Sequence, residues 1–334
     1  MSNNSQKPFF SIGAIARNGE LHLEKALVAT DTLVAALADR FECRLLLVDS
    51  ASTDSTGAMM KAFAETRSHV RVFELDGDVN ASVARNVYLD HVEPGYLFVI
   101  DGDIAVEVEF VEQAIKEMES GNADIIYGKL PEIWYNNEGV AYSGQDDRYR
   151  VDVREYIEWF KGAFLMSPNA VAAKFRYDEG LERLEDIDLS LRAAEKFRIL
   201  TLPTPMATHH TDGYHSRTRL KDFIAGGYQI PAGQFIRSNL FKPRRLLRVR
   251  RAYIGYLVGL VMQAIVVLGL LFLSPLLILI GFAVLGLDFL RFFRQKRVHE
   301  YLPLRVIGAW QLLIGFLKPK RAAGPYQSHE VTPS

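Results

Sequence analysis

Asp101-Gly102-Asp103 places two carboxylates around a glycine, directly after the apolar run Leu97-Phe98-Val99-Ile100. The run fits a buried strand of a parallel sheet. Ligands gather beyond the C-terminal ends of such strands. Two carboxylates there suit a hard divalent cation that also holds phosphate oxygens, and an ordinary Asp-Gly turn is the plainer alternative. A second acidic group, Glu185, Asp186 and Asp188, falls where residues 182–192 open a helix, and the helix dipole favours acids in a first turn. Asp188 and Arg192, four residues apart, also suit a helix salt bridge. Asp49 ends another apolar run, and Asp49 and Asp54 could equally cap loops. His209, His210 and His215 lie in a polar segment. Imidazole is a common metal ligand, although loop histidines are usually just loop residues.

These groups need elements to hold them. Residues 9–16 read as a first strand, followed by the polar turn Arg17-Asn18-Gly19-Glu20 and a helix over 23–37. A strand over 44–49, a small-polar loop, a helix over about 57–67 and a strand over 70–74 follow. This βαβ series predicts a parallel sheet with right-handed crossovers. A helix over 81–88 precedes the Asp101-Gly102-Asp103 strand, and 110–118 and 123–128 add a helix and a strand. Residues 131–156 lose all pattern and read as a long functional loop expected to shape acceptor choice. Short strands at 162–166 and 198–202 complete the unit.

The 334 residues are 49% hydrophobic, but the apolar content is concentrated in 252–293. A net charge of −1 argues against nucleic acid as the main partner. One cysteine, Cys43, excludes an intrachain disulfide and fits a reducing compartment. The polar start has no apolar signal-peptide core. Ala252 to Leu273 is long enough to span a bilayer. Ser274-Pro275 breaks it, and Leu276 to Phe293 gives a second, shorter span. Arg244, Arg245, Arg248, Arg250 and Arg251 precede the pair, and Arg291, Arg294, Lys296 and Arg297 follow or end it. Positive charge at both ends predicts a hairpin with its ends in the cytoplasm. The expected organisation is a catalytic domain over 1–220, a basic juxtamembrane segment over 221–251, two transmembrane helices over 252–293, an interfacial or re-entrant helix over 298–318 and a disordered tail over 319–334.

In this order the motifs resemble the family 2 glycosyltransferases, inverting nucleotide-sugar enzymes of the GT-A fold, over about residues 8–220. Ala16-Arg17-Asn18-Gly19-Glu20 is similar to the family's first nucleotide-contacting turn. The stretch holding Asp49, Ser50 and Ser52 resembles its second strand end, where an acid reads the base or ribose, with Ser50 where many members have a second Asp. Ala84-Arg85-Asn86 resembles the family's helix start near the nucleotide. Asp101-Gly102-Asp103 matches its metal motif. Glu185, Asp186, Asp188, Leu189 and Arg192 resemble its E-D-x-D-L-x-x-R motif.

The resemblance implies an α/β fold with a Rossmann-like, mostly parallel sheet. It implies Asp186 as general base, with Glu185 orienting it or binding acceptor, and Asp103 assisted by Asp101 holding Mn²⁺ or Mg²⁺. His210 is the histidine expected to join that metal. Arg85 and Gly102 are expected at the nucleotide, most often UDP among relatives. With the hairpin, this predicts an inner-membrane enzyme, catalytic domain in the cytoplasm, that adds one sugar to a lipid-linked (polyprenyl pyrophosphate) glycan in surface or exopolysaccharide assembly. A polyprenyl-phosphate sugar synthase and a non-catalytic nucleotide- or glycan-binding membrane scaffold are the alternatives.

Overall fold

The computed structural model describes residues 7–136, 138–145, 151–212, 226–294, 303–320 and 324–331. The chain divides into two compact units, Met1–Gly213 with Ala322–Ser334, and Tyr214–Arg321. His215 lies outside the described residues.

The first unit begins β1 (Phe9–Ala16), α1 (Leu23–Leu37), β2 (Glu42–Asp49), α2 (Thr56–Ala64), β3 (Val70–Gly77), α3 (Ala81–Leu89) and β4 (Gly95–Asp101). β1 lies between β2 and β4 and is parallel to both. The chain therefore builds outward from β1 through β2 to β3 and then crosses to the other side of β1. That reversal is a topological switch point, and it sets Ala16, Asp49 and Asp101 side by side. Phe10, Ile12, Leu45, Leu47, Leu97 and Phe98 are all buried. Strands covered on both faces need such continuous apolar runs, which is why they are readable.

After β5 (Ile104–Val106) and α4 (Val108–Glu119) come β6 (Ile125–Lys129), β7 (Glu132–Tyr135), β8 (Ala141–Gln145), β9 (Tyr156–Ile157) and β10 (Phe164–Met166). α5 (Pro168–Ala172), α6 (Glu185–Ala193), β11 (Ile199–Pro205), β12 (Ala207–Asp212) and the late β13 (Tyr326–Val331) complete the unit. The large sheet has the order β13-β3-β2-β1-β4-β10-β6-β11-β9, and β5-β12-β7-β8 form a second sheet. Three strands, β10, β9 and β13, run against the other six, so the large sheet is mixed.

Two expectations fail in this unit. Part of the patternless 131–156 stretch is ordered as β7, β8 and β9, and the histidine segment is strand β12. Residues 326–331 are not a disordered tail. They pair antiparallel with β3, and Arg71 grips Glu330 through two bonds of 2.7 and 2.8 Å. An open strand edge supplies backbone partners that a polar hexapeptide lacks on its own.

The second unit holds α7 (Ile230–Ser238), α8 (Pro243–Leu271), α9 (Pro275–Arg294), one turn of π-helix (Pro303–Ile307) and α10 (Gly308–Leu317). Of the segment expected as basic and juxtamembrane, the described residues 226–251 hold α7 and the first turns of α8. α8 and α9 form a helical hairpin, with Gly269 against Ile278 and Gly281 against Val266. Only Tyr253–Leu271 is long and apolar enough to cross a membrane among the described residues, and the apolar part of α9 is the shorter Pro275–Leu290. Of the segment expected as an interfacial or re-entrant helix, the described residues 303–318 hold the π turn and α10. α10 packs on α7 where Gly233 and Gly315 bring the two backbones together; a Cβ on either would overlap the other helix. Arg305 pairs with Asp288 at 2.7 Å, and Gln263 joins the Arg305 carbonyl to the Trp310 indole.

Candidate active site

The turn after β1 and the loop after β2 lock each other. Asn18 N–H donates to Ser52 Oγ at 2.9 Å, Thr53 N–H to Asn18 Oδ1 at 2.8 Å, and Ser55 Oγ–H to Glu20 at 2.7 Å. Ser50 N–H donates to the Ala16 carbonyl at 2.8 Å. Asn18 and Ala51 take left-handed backbone, with φ of 52° and 56°. Asn accepts that conformation readily, whereas for Ala it is strained. Asp49 is buried and takes the Ser52 N–H, and Asp54 takes the N–H groups of Glu20 and Thr56. Ser52 thus joins Asn18 to Asp49, and Glu20 is held by Asp54 and Ser55, so that these residues build the wall at the strand ends. Arg17 is exposed.

Gly102 sits where β4 turns. Its N–H bonds the Ile15 carbonyl, and a Cβ there would lie 2.6 Å from Ala16 Cβ, so only glycine fits. Asp101 and Asp103 then diverge. Asp101 Oδ1 accepts from Arg85 at 2.7 Å, and the other arm of Arg85 reaches Glu185 at 2.6 Å. Arg85 is 5% exposed and Glu185 9%. Residues one hundred positions apart therefore form a buried carboxylate–guanidinium–carboxylate bridge between the β4 turn and the start of α6. Burial and the Asp186 charge push the Glu185 carboxyl up to about 7, against the pull of Arg85. In this bridge Arg85, expected at the nucleotide, holds both Asp101 and Glu185, and Arg85 and Glu185 are both buried.

α3 holds the approach to α6 at three further points. Asn80 donates to the Glu179 carbonyl, Ser82 to the Leu181 carbonyl and Asn86 to the Tyr177 carbonyl. The residue before α6, Leu184, is left-handed at φ 65°. A non-glycine residue there costs about 1–3 kcal/mol, a strain that clusters at functional sites. Asp186, next in line, is only partly buried and accepts from Gly162 N–H at 3.0 Å and Ile187 N–H at 2.7 Å. It is held and partly exposed. Asp188 and Arg192 form the helix salt bridge at 2.8 Å that their spacing suggests.

Asp103 faces the second sheet. Its Oδ2 meets His209 Nε2 at 3.1 Å, and His209 Nδ1 meets Glu132 Oε1 at 3.0 Å. Burial works against a charged His209, but the bonds to Asp103 and Glu132 and their charges raise it to about 9. His210, the histidine expected at the metal, lies elsewhere in this structure. Strand alternation turns it to the opposite face, where Nδ1 meets the Tyr135 hydroxyl at 2.8 Å and the ring nears His22. Burial, with Lys25 and His22 nearby, lowers it to about 4. The histidine at Asp103 is His209. Glu132, Trp134, Tyr135 and Gly162 were not foreseen; the one sequence signal was a carboxylate alternating with Ile133 and Tyr135 in the strand Glu-Ile-Trp-Tyr.

Asp103 Oδ1 is buried and has no hydrogen-bond partner among the described residues, which fits a cation ligand. No group of three or more His, Cys, Asp or Glu side chains forms a complete metal cage among the described residues. A cation held at Asp103 would therefore complete its shell with phosphate oxygens and water, as Mg²⁺ and Mn²⁺ commonly do.

Residues 15–172 match the family described as glycosyl transferase family 2. Over 108 residues the chain is 28% identical to Glycosyltransferase GlyG of Streptococcus pneumoniae serotype 4 (strain ATCC BAA-334 / TIGR4). That match covers 30% of this chain and spans about a third of the relative, 35% of its length. Among solved structures, the mannosyltransferase PcManGT from Pyrobaculum calidifontis, in complex with GDP-Man and Mn²⁺, superposes with a TM-score of 0.55 at 14% identity, covering 94% of this chain and 87% of that one. S. aureus TarS 1–349 in complex with UDP gives 0.49 at 16% identity, covering 90% of each chain. The likeness to the mannosyltransferase gives the fold, GT-A, and residues 15–172 are similar to glycosyl transferase family 2.

Proposed function

We propose that the protein is an inverting glycosyltransferase that moves one sugar from a nucleotide diphosphate sugar to a hydroxyl of a lipid-linked glycan at a membrane surface. The observation that carries the reaction type is Asp186. It is a partly exposed carboxylate fixed by two N–H groups at a strained helix start, which the Arg85 bridge ties to the β4 turn. In the proposed reaction the acceptor hydroxyl oxygen attacks the anomeric carbon, the bond to the diphosphate breaks, and Asp186 takes the hydroxyl proton. Glu185 and Arg85 orient; Asp103 would hold the divalent cation, with Asp101 beside it. When bound, such a cation supplies Lewis-acid stabilisation of the leaving diphosphate.

The locked loops at the β1 and β2 ends support a nucleotide-sized wall, with Asp49 and Ser50 at its base. The mannosyltransferase that shares the fold was solved with GDP-Man and Mn²⁺, in line with a donor of this class, and UDP is the nucleotide expected from the family resemblance. An acceptor hydroxyl needs a base whereas an attacking phosphate does not, so an available Asp186 favours a glycan acceptor. For the membrane, Tyr253–Leu271 spans about 29 Å at 1.5 Å per residue, close to a hydrocarbon core of about 30 Å. Leu271, Leu273, Leu276 and Leu279 are exposed, as lipid-facing residues would be. The arginines at both ends of the hairpin favour a cytoplasmic first unit.

The test is transfer by the purified full chain in lipid nanodiscs, with a panel of radiolabelled nucleotide sugars, Mn²⁺ or Mg²⁺, and either a polyprenyl-pyrophosphate glycan or a polyprenyl phosphate. Transfer to the glycan, lost in Asp186→Asn with donor binding intact, is the expected result. Transfer to the bare phosphate, or activity that survives Asp186→Asn, overturns the reading.

A further inference from the structure

Glu132 begins β7, and its side chain is completely buried. A carboxylate taken out of water is costly unless its oxygens are paired, so its two partners bear on why it is there. Oε2 accepts from the Trp134 indole N–H at 3.1 Å, and Oε1 meets His209 Nδ1 at 3.0 Å. Glu132 and His209 are register partners on the adjacent strands β7 and β12, so the two side chains stand on one face of the sheet. On its other side His209 Nε2 reaches Asp103 Oδ2 at 3.1 Å. Trp134, Glu132, His209 and Asp103 form one continuous chain of hydrogen bonds, and it ends on the carboxylate whose second oxygen is buried without a partner.

An imidazole can rotate about its χ angles and exchange its two nitrogens. A buried carboxylate at Nδ1 removes that freedom: it accepts from Nδ1–H and fixes the ring so that Nε2–H donates to Asp103 Oδ2. Asp103 is then held by one oxygen, and Oδ1 is left as the free one. We propose that Glu132 is a positioning residue for a divalent cation at Asp103, acting through His209. It touches neither the cation nor the donor. The inference rests on the reading in which Asp103 holds the cation.

The experiment titrates Mn²⁺ alone into the purified full chain and reads free Mn²⁺ by electron paramagnetic resonance, for wild type, Asp103→Ala, Glu132→Leu and Glu132→Gln, with a melting curve for each. Outer partners of metal ligands typically change affinity about ten- to a hundredfold. The expected result is a loss of that size in Glu132→Leu. A smaller loss is expected in Glu132→Gln, whose amide must turn its NH₂ towards either the indole or the imidazole N–H. No uptake by wild type, or uptake unchanged in Asp103→Ala, refutes the cation reading and the inference with it. Uptake by wild type, lost in Asp103→Ala but unchanged in both Glu132 variants, overturns the inference alone, even if their melting temperatures fall. If Glu132→Leu does not fold, Glu132→Gln decides, and an unchanged dissociation constant overturns the proposal.

Discussion

Replacing Arg85 by methionine keeps most of the side-chain volume and removes the guanidinium between Asp101 and Glu185. The two carboxylates respond differently. The Asp101 side chain is 35% exposed and can rehydrate, whereas that of Glu185 is 11% exposed and has no route to bulk water. Breaking a buried pair by removing one partner costs about 3–5 kcal/mol, most of it from the charge left behind. In a unit of roughly 200 residues each kcal/mol shifts the melting temperature by about 2–4 °C, so Arg85→Met is expected to melt roughly 6–20 °C below wild type. In the double variant Arg85→Met with Glu185→Met no buried charge remains, and replacing an ion pair by apolar groups of similar volume is close to neutral. It should recover most of that loss. The assay is thermal melting of the full chain in detergent, followed by near-ultraviolet circular dichroism at pH 6 and 8.5. The deficit of Arg85→Met should be smaller at pH 6, where the stranded Glu185 holds a proton, than at pH 8.5. A shift below about 2 °C in Arg85→Met, or a double variant no more stable than the single, would refute a bridge that matters energetically.

Glu185 also sets a pH slope in the wild type. Its folded value of about 7 lies above the ordinary 4.5, so the folded state holds the proton more tightly and stability falls as pH rises from about 4.5 to about 7. Glu185→Gln should flatten that segment of a melting-temperature profile. Gly102→Ala would press a methyl group against Ala16; it should lower stability by about 1–3 kcal/mol by overpacking and weaken metal-dependent nucleotide binding, read by calorimetry. Glu330→Ala removes a surface ion pair worth about 0.2–1 kcal/mol, so the melting point should move by no more than about 4 °C. Hydrogen exchange at Ser328 and Val331, by contrast, should quicken as β13 opens more often.

The parts of the fold that were legible are the ones whose residues answer to a local rule. β1, β2 and β4 are continuous apolar runs because both faces are covered, and their ends gave Asp49 and Asp101-Gly102-Asp103 directly. β7, β8 and β12 belong to a small sheet where polar and aromatic residues alternate, so their pattern resembles a loop until their partners are known. His209 and His210 show the limit most sharply. A strand turns alternate residues to opposite faces, and one position of register decides which imidazole meets Asp103. The role of Glu185 depends on Arg85, one hundred residues earlier, and no spacing rule links the two. The strand at 326–331 is ordered by the free edge of β3, not by its own composition.

That last strand also sets an order of assembly. β11 is made before the helical hairpin and β13 after it, so more than a hundred residues emerge from the ribosome between two strands of the large sheet. Until they have been made, β3 presents an unpaired edge of eight residues, the kind of edge that captures stray strands. Synthesis of the hairpin therefore precedes closure of the sheet in any chain made from its N-terminus. A pause in synthesis before β13 would leave an otherwise folded first unit with an open flank, vulnerable to pairing with the β13 of another copy.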